Sequence, residues 1–153
     1  MVGRDRDGPR RSQGGQANVG ASSVGALTAL SAPSSPTARV APTETTVFSV
    51  HATLTKFKME TGDSDYHLVL DDGQGHTMIA ETPSTDCIGS SPFNRPSAMF
   101  GRRLHRFHPG PSFRDTHTDV TETGVGFFDR VHGQTGVAPN GVELYPVLSI
   151  AFD

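Results

Sequence analysis

The chain has no tryptophan and a single cysteine, Cys87. That excludes an intramolecular disulfide framework and any zinc site built from several thiolates. It reads as a small half-buried thiol, with a nucleophile or an intermolecular bridge as the other readings. No run of about 18 apolar residues occurs, so no membrane-spanning helix is expected. The first 47 residues hold no aromatic and no histidine: the nine Phe, both Tyr and all seven His fall between Phe48 and Phe152. With only 34% hydrophobic residues in 153, the core must be small and confined to part of the chain. A basic excess is missing as well. Thirteen Lys+Arg against sixteen Asp+Glu give net −3, unlike a dedicated nucleic-acid binder. Five Arg against Asp5, Asp7 and Glu44 lie in residues 1–45, so residues 46–153 are more acidic than the whole.

What is present divides the chain into three. Residues 1–20, rich in Gly, Arg, Asp and Gln, have too little to bury to offset their ordering entropy and read as a disordered tail. Residues 21–45 read as a short helix, around 22–30, followed by a linker punctuated by Pro33, Pro36 and Pro42. Arg10-Arg11 ahead of weakly apolar residues gives an export signal as the competing reading, against which Ser and Gly interrupt the apolar stretch and no A-x-A site follows. Residues 46–153 read as the folded domain. Phe48, Val50, Ala52 and Leu54 alternate with Ser49, His51, Thr53 and Thr55, a strand with one buried face. DYHLVLD and HTMIAET flank Asp72-Gly73-Gln74-Gly75, a hairpin signal. A Pro-rich stretch, 83–118, carries a helix pattern at 96–107. Two more strands follow: DVTETGVGFFD, where Gly124 and Gly126 predict a bulge or a close approach, and ELYPVLSIAF, with Leu144, Leu148, Ile150 and Phe152 on one face and Pro146 marking an edge or bulge.

Three strands, an irregular segment with one short helix between strands three and four, then two strands, is the order of the five-stranded Greek-key barrel called the OB-fold. The expected class is mainly β. A β-sandwich would need about seven strands.

The strings DSDYHLVLDD, HTMIAETP, GVGFFDRVHGQTGVAPNGVEL and PVLSI resemble a group of bacterial proteins, many with export signals, that carry D-Y-H-L-V-L, T-M-I-A-E and H-G-Q-T-G-V-A-P-N-G motifs. The resemblance runs from Ser22 to Ile150 and implies that residues 22–33 belong to the mature protein, at an extracytoplasmic location. No convincing signal peptide is legible in this chain. The resemblance implies no activity. The group usually has His where this chain has Tyr145.

Alternation places Asp65 and His67 together on the non-core face, with Glu81 near the end of strand three and Glu143 at the start of strand five. His132 and Asn140 bracket the loop between strands four and five. These six are the candidate ligand-binding residues, since OB barrels take ligands on strands two and three and the neighbouring loops. Three readings stay open. They are solvated residues with a His67/Glu81 cross-strand pair, a binding surface, or a metal or acid/base site using His67, His132 and Glu81, with Glu143 as a further carboxylate. His51 alternates onto the same face.

Other chemistries lack their parts. A nuclease would need arginines near the ligand loops, whereas Arg95, Arg102, Arg103, Arg106 and Arg114 sit in the insertion. Those arginines with Phe100, Phe107 and Phe113 form a basic aromatic patch whose aromatics read as packing on the barrel, with phosphate contact and base stacking as the alternative. HGQTGVAPNG has no phosphate-loop Lys, Ser90 and Ser91 lack a G-x-S-x-G context, and Cys87 has no defined base. The expected function is therefore a non-catalytic OB-like binding module for an oligosaccharide, a nucleic acid or an envelope protein. The alternative is a metal-dependent hydrolase using His67/His132 with Glu81/Glu143. No cofactor is expected beyond a divalent metal in that alternative.

Overall fold

The computed structural model describes residues 19–34, 38–60, 65–83 and 102–153. In chain order they form β1 (Val19–Ser22), α1 (Val24–Thr28), β2 (Val47–Met59), β3 (Asp65–Asp71), β4 (Thr77–Pro83), β5 (Arg114–Phe128) and β6 (Val142–Phe152), with 3-10 turns at Thr43–Thr45 and His105–Phe107. The sheet runs β1-β2-β3-β4-β6-β5 and closes through pairing of β2 with β5, giving a five-stranded barrel with one additional strand. This is the Greek-key order expected of an OB barrel. No helix among the described residues is long and apolar enough to cross a membrane. Cys87, Ser90, Ser91, Arg95, Phe100 and most of the 96–107 helix pattern lie outside the described residues. The end of that pattern is helical turn, with Leu104 buried.

Period-two alternation produces the barrel. Val50, Ala52 and Leu54 of β2, Leu68 and Leu70 of β3, Met78 and Ala80 of β4, Val120 of β5 and Leu144 and Ile150 of β6 meet inside it. Each fully buried large aliphatic side chain among them contributes about 1.5–3 kcal/mol over its exposed state. Val24 and Leu27 of α1 join this core beside the β3–β4 turn, and Phe107 packs between Phe57 and Phe152 at centroid distances of 5.6 and 5.1 Å. β1 is not signalled by its sequence, VGAS. It forms because the first half of β2 offers it an edge, on which it pairs in parallel from Val19↔Val47 to Ser22↔Val50.

The expected phase of β6 needs one correction. Opposite Gly124 and Gly126 the β5–β6 register shifts twice, so Val147 turns inward, fully buried, and Leu148 is only half-buried. Pro146 marks one of these bulges, which spares it a ladder position. It is not at an edge, because β6 pairs with both β4 and β5. Gly126 is where the chain crosses itself closely: a Cβ there would lie 2.5 Å from the Thr43 carbonyl oxygen and 2.8 Å from the Phe48 ring. The linker is fastened at the same place. Glu44, 1% exposed, accepts the Phe128 N–H at 2.9 Å and the Val40 N–H, and Arg39 donates to the carbonyls of Glu44, Gly126 and Tyr145.

The interior also contains Glu122, fully buried on β5, with neither carboxyl oxygen hydrogen-bonded among the described residues. Burial raises its pKa to about 8, so it is held as the neutral acid.

Two predictions follow from this packing. Gly126→Ala should lower stability by about 1–3 kcal/mol in chemical denaturation through overpacking, whereas Gly110→Ala, which meets nothing within 4 Å, should stay within about 0.5 kcal/mol. Glu122 holds its proton more tightly folded than unfolded, so its contribution is complete below about pH 4.5 and disappears as pH rises through about 8. The melting temperature of the native chain should fall across that window more steeply than that of Glu122→Gln, and parallel slopes would contradict the assignment.

Candidate functional site

The outward face of β3 and β4 is not left to solvent. The β5–β6 loop folds back over it. Gly136, at φ +82°, lies so close to Val69 that a Cβ would meet a Val69 methyl at 2.5 Å, and Val69 and Ile79 are buried beneath. A left-handed glycine with no side chain is what lets the loop reach the strand. Beside this contact the loop leaves a cleft of about 430 Å³, walled by the end of β2, by β3 and β4, by Phe113 and by residues 129–135.

His67 forms the base of the cleft. It stands directly across from Glu81 in the β3–β4 ladder and from Lys58 in the β2–β3 ladder. Its Nδ1 lies 2.8 Å from the Glu81 carboxylate, its Nε2 lies 3.2 Å from the Thr135 carbonyl, and its ring meets Phe113 edge-on at 5.2 Å. A backbone carbonyl only accepts, so Nε2 donates to Thr135, and Nδ1 is turned to the Glu81 carboxylate. On the same ring, Lys58 Nζ lies 4.5 Å from the Phe113 centroid and pairs with Glu60.

Asp65, His67, Glu81 and His132 of the expected set line this one cleft. His67 is 5% exposed, so it is not a solvated surface residue. His132 is exposed at the rim, 3.9 Å from Asp129. Glu143 is 4% exposed, on the same outward face of the sheet. Burial first, and then the charges of Glu81, Asp129 and Asp65, push its pKa up to about 9. The same surroundings, burial foremost, raise Tyr145, with Arg39 acting in the opposite sense. Asn140 does not belong to the cleft: its amide donates to the carbonyls of Leu27 and Leu30, both at 2.9 Å, and its oxygen accepts the Val142 N–H. It ties α1 to the loop and borders a separate cavity of about 640 Å³ between the linker and Phe127. His51 pairs with Asp153 at 3.2 Å and does not line the cleft.

Among the described residues no three His, Cys, Asp or Glu side chains are grouped so as to hold an ion, and His67 and His132 are turned to different partners, Glu81 with Thr135 and Asp129. The basic patch is partly structural, since Arg103 donates to the Ile150 carbonyl at 2.9 Å. Sequence reading missed Lys58, Glu60, Phe113 and Asp129. Lys58 and Glu60 were legible as the end of the strand that pairs with β3, and Asp129 as the residue entering the loop. Phe113, in the irregular segment, was read with the basic aromatic patch and not with the site.

No protein-family model matches the chain, and no curated protein matches it in sequence. Its fold is similar to part of a crystal structure from Leishmania major Friedlin described as an aspartyl-tRNA synthetase, with a TM-score of 0.50 and 15% identity. The similarity covers 95% of this chain and 22% of that one, so the chain spans about a fifth of that protein's length. At that identity the likeness is one of fold.

Because the His67–Glu81 bond is largely withdrawn from water, a double-mutant cycle with His67→Ala and Glu81→Ala should return a coupling of about 1.5–3 kcal/mol. A value below about 0.5 kcal/mol would mark it as an ordinary surface pair.

Proposed function

We propose that this protein is a non-catalytic binding module whose ligand occupies the cleft between β3, β4 and the β5–β6 loop. The observation that carries this reading is the position of the cleft: it lies on the strands and against the loop that an OB barrel offers to its ligands. His67, whose two ring nitrogens both have partners within the chain, supports binding over catalysis.

Among the ligand classes, nucleic acid is favoured by the structural likeness to part of a tRNA synthetase and opposed by charge. Glu60, Asp65, Glu81 and Asp129 line the cleft, and Lys58 is the one Lys or Arg in its described lining. Phosphates would meet repulsion there. An oligosaccharide or a protein segment from the cell envelope suits the lining better. The motifs shared with the exported bacterial group support a place of action outside the cytoplasm.

The reading is checked by titrating the full chain with oligosaccharides, single-stranded oligonucleotides and basic and neutral peptides while following backbone amide resonances. Shifts should concentrate at 65–67, 81 and 129–135, and Asp65→Ala with Glu81→Gln should weaken binding at least about tenfold, a loss of about 1.4 kcal/mol. Unchanged binding by a variant that melts normally would move the ligand to another face.

A further inference from the structure

Of the asparagines Asn18, Asn94 and Asn140, only Asn140 is followed by a glycine. The fold demands both members of that pair. Gly141 stands at φ +76°, where a Cβ would collide with the Asp129 carbonyl oxygen, so no larger residue fits. Asn140 answers to partners of two kinds. Its side-chain nitrogen donates to the carbonyls of Leu27 and Leu30, each at 2.9 Å, and its oxygen accepts the Val142 N–H at 3.1 Å. Asparagine is the short side chain that offers two donors and an acceptor together.

The pair so created is chemically labile. The Gly141 nitrogen attacks Cγ of Asn140, unhindered because glycine has no side chain. The bond from Cγ to the amide nitrogen breaks, ammonia leaves with the Gly141 proton, and a five-membered succinimide remains. Water opens that ring at either carbonyl to give aspartate or isoaspartate. One water is consumed, one ammonia is released, and nothing is oxidised or reduced.

In the folded chain two restraints oppose the attack. The Gly141 N–H donates to the Ala138 carbonyl at 2.9 Å, and the Asn140 amide is fixed by its own three hydrogen bonds. Two of those three end on the arm that carries α1. Val24 and Leu27 anchor that arm in the core, but residues 29–32 beyond them are exposed. This end is tied down by the Asn140 amide and by the Leu30 N–H, which donates to Leu27 at 3.1 Å. An exposed end with so little burial opens far more readily than the barrel does.

We propose that Asn140–Gly141 is a self-modification site gated by this arm: docking of residues 29–32 locks the amide, their lifting lets Asn140 close on the Gly141 nitrogen, and the acid produced keeps the arm's end detached. The consequence is directional. A carboxylate only accepts, so it still takes the Val142 N–H, but toward Leu27 and Leu30 it sets oxygen against oxygen. Two hydrogen bonds are replaced by repulsion on the arm side, and the loop side keeps its bond. Undocking of the unmodified arm is reversible, whereas the converted chain has lost its ammonia to solution.

The experiment incubates the full chain at mildly alkaline pH and follows residue 140 by peptide mass mapping with isoaspartate detection. Leu30→Gly and a synthetic peptide of residues 137–144, the unrestrained reference, are run beside it. Conversion in the native chain should be at least about tenfold slower than in the peptide, since it requires prior opening. Leu30→Gly, which loosens the arm's end at an exposed position, should convert about twofold or more faster than the native chain. In Asn140→Asp the Leu30 amide should lose its protection against hydrogen exchange while the Val142 amide keeps it. Should that variant fail to fold, the Leu30 amide of the converted fraction of the native chain gives the same reading. Equal rates in the native chain and Leu30→Gly overturn the proposal, as does a Leu30 amide that stays protected beside an acid at 140. So does a residue 140 left wholly unconverted in both chains once the peptide has reacted to completion.

Discussion

The structure depends on the pairing of β2 with β5. Without it the other pairings give an open sheet; with it, all five barrel strands have a neighbour on each side. To make that closure, β2 runs 13 residues and is shared among β1, β3 and β5, and β5 runs 15 and is shared between β2 and β6. A strand that long must bend to stay on a closed surface, and the register shifts at Leu54/Lys56 in β2 and at Gly124 and Gly126 in β5 are where it does so. The glycines serve the bend and the crossing of the linker together, since Gly126 bonds Thr46 through its N–H and Arg39 through its carbonyl.

Closure also decides where chemistry can sit. The inside of a five-stranded barrel is filled by aliphatic side chains, so polar groups are sent to the outer face, where the β5–β6 loop then covers some of them. His67 and Glu143 are outward-facing in the strand and yet withdrawn from water. Two carboxylic acids, Glu122 inside the barrel and Glu143 on its covered outer face, are both held neutral by burial. They differ in kind: burial alone raises Glu122, whereas burial and then the charges of Glu81, Asp129 and Asp65 raise Glu143.

Much of this was legible in the residues. Period-two alternation located the strands, the Asp-Gly-Gln-Gly turn fixed the β3–β4 hairpin, and the strand order named the barrel. Alternation also placed Asp65, His67, Glu81 and Glu143 on one face, because strand periodicity is a local property. What escaped has long-range causes. Nothing local in VGAS marks a strand, since β1 exists only by virtue of β2's edge. Leu148 was assigned to the inner face, where Val147 stands, because a bulge adds a residue without leaving a sequence trace beyond Pro146. The burial of His67, the engagement of both its nitrogens and the part played by Phe113 depend on where a loop some 65 residues away comes to rest. Asn140 was placed in the site because it lies in that loop, but its amide turns the other way, toward α1.

That orientation of Asn140 joins two parts of the molecule that share no strand pairing. Its side chain holds the Leu27 carbonyl of α1 and the Leu30 carbonyl just beyond it, and five residues earlier the same loop offers the Thr135 carbonyl to His67. The alanine-rich arm at 26–32 and the cleft are therefore mechanically continuous through one loop. A change that displaces the carbonyls of Leu27 or Leu30 reaches, through Asn140, the loop whose Thr135 carbonyl holds His67.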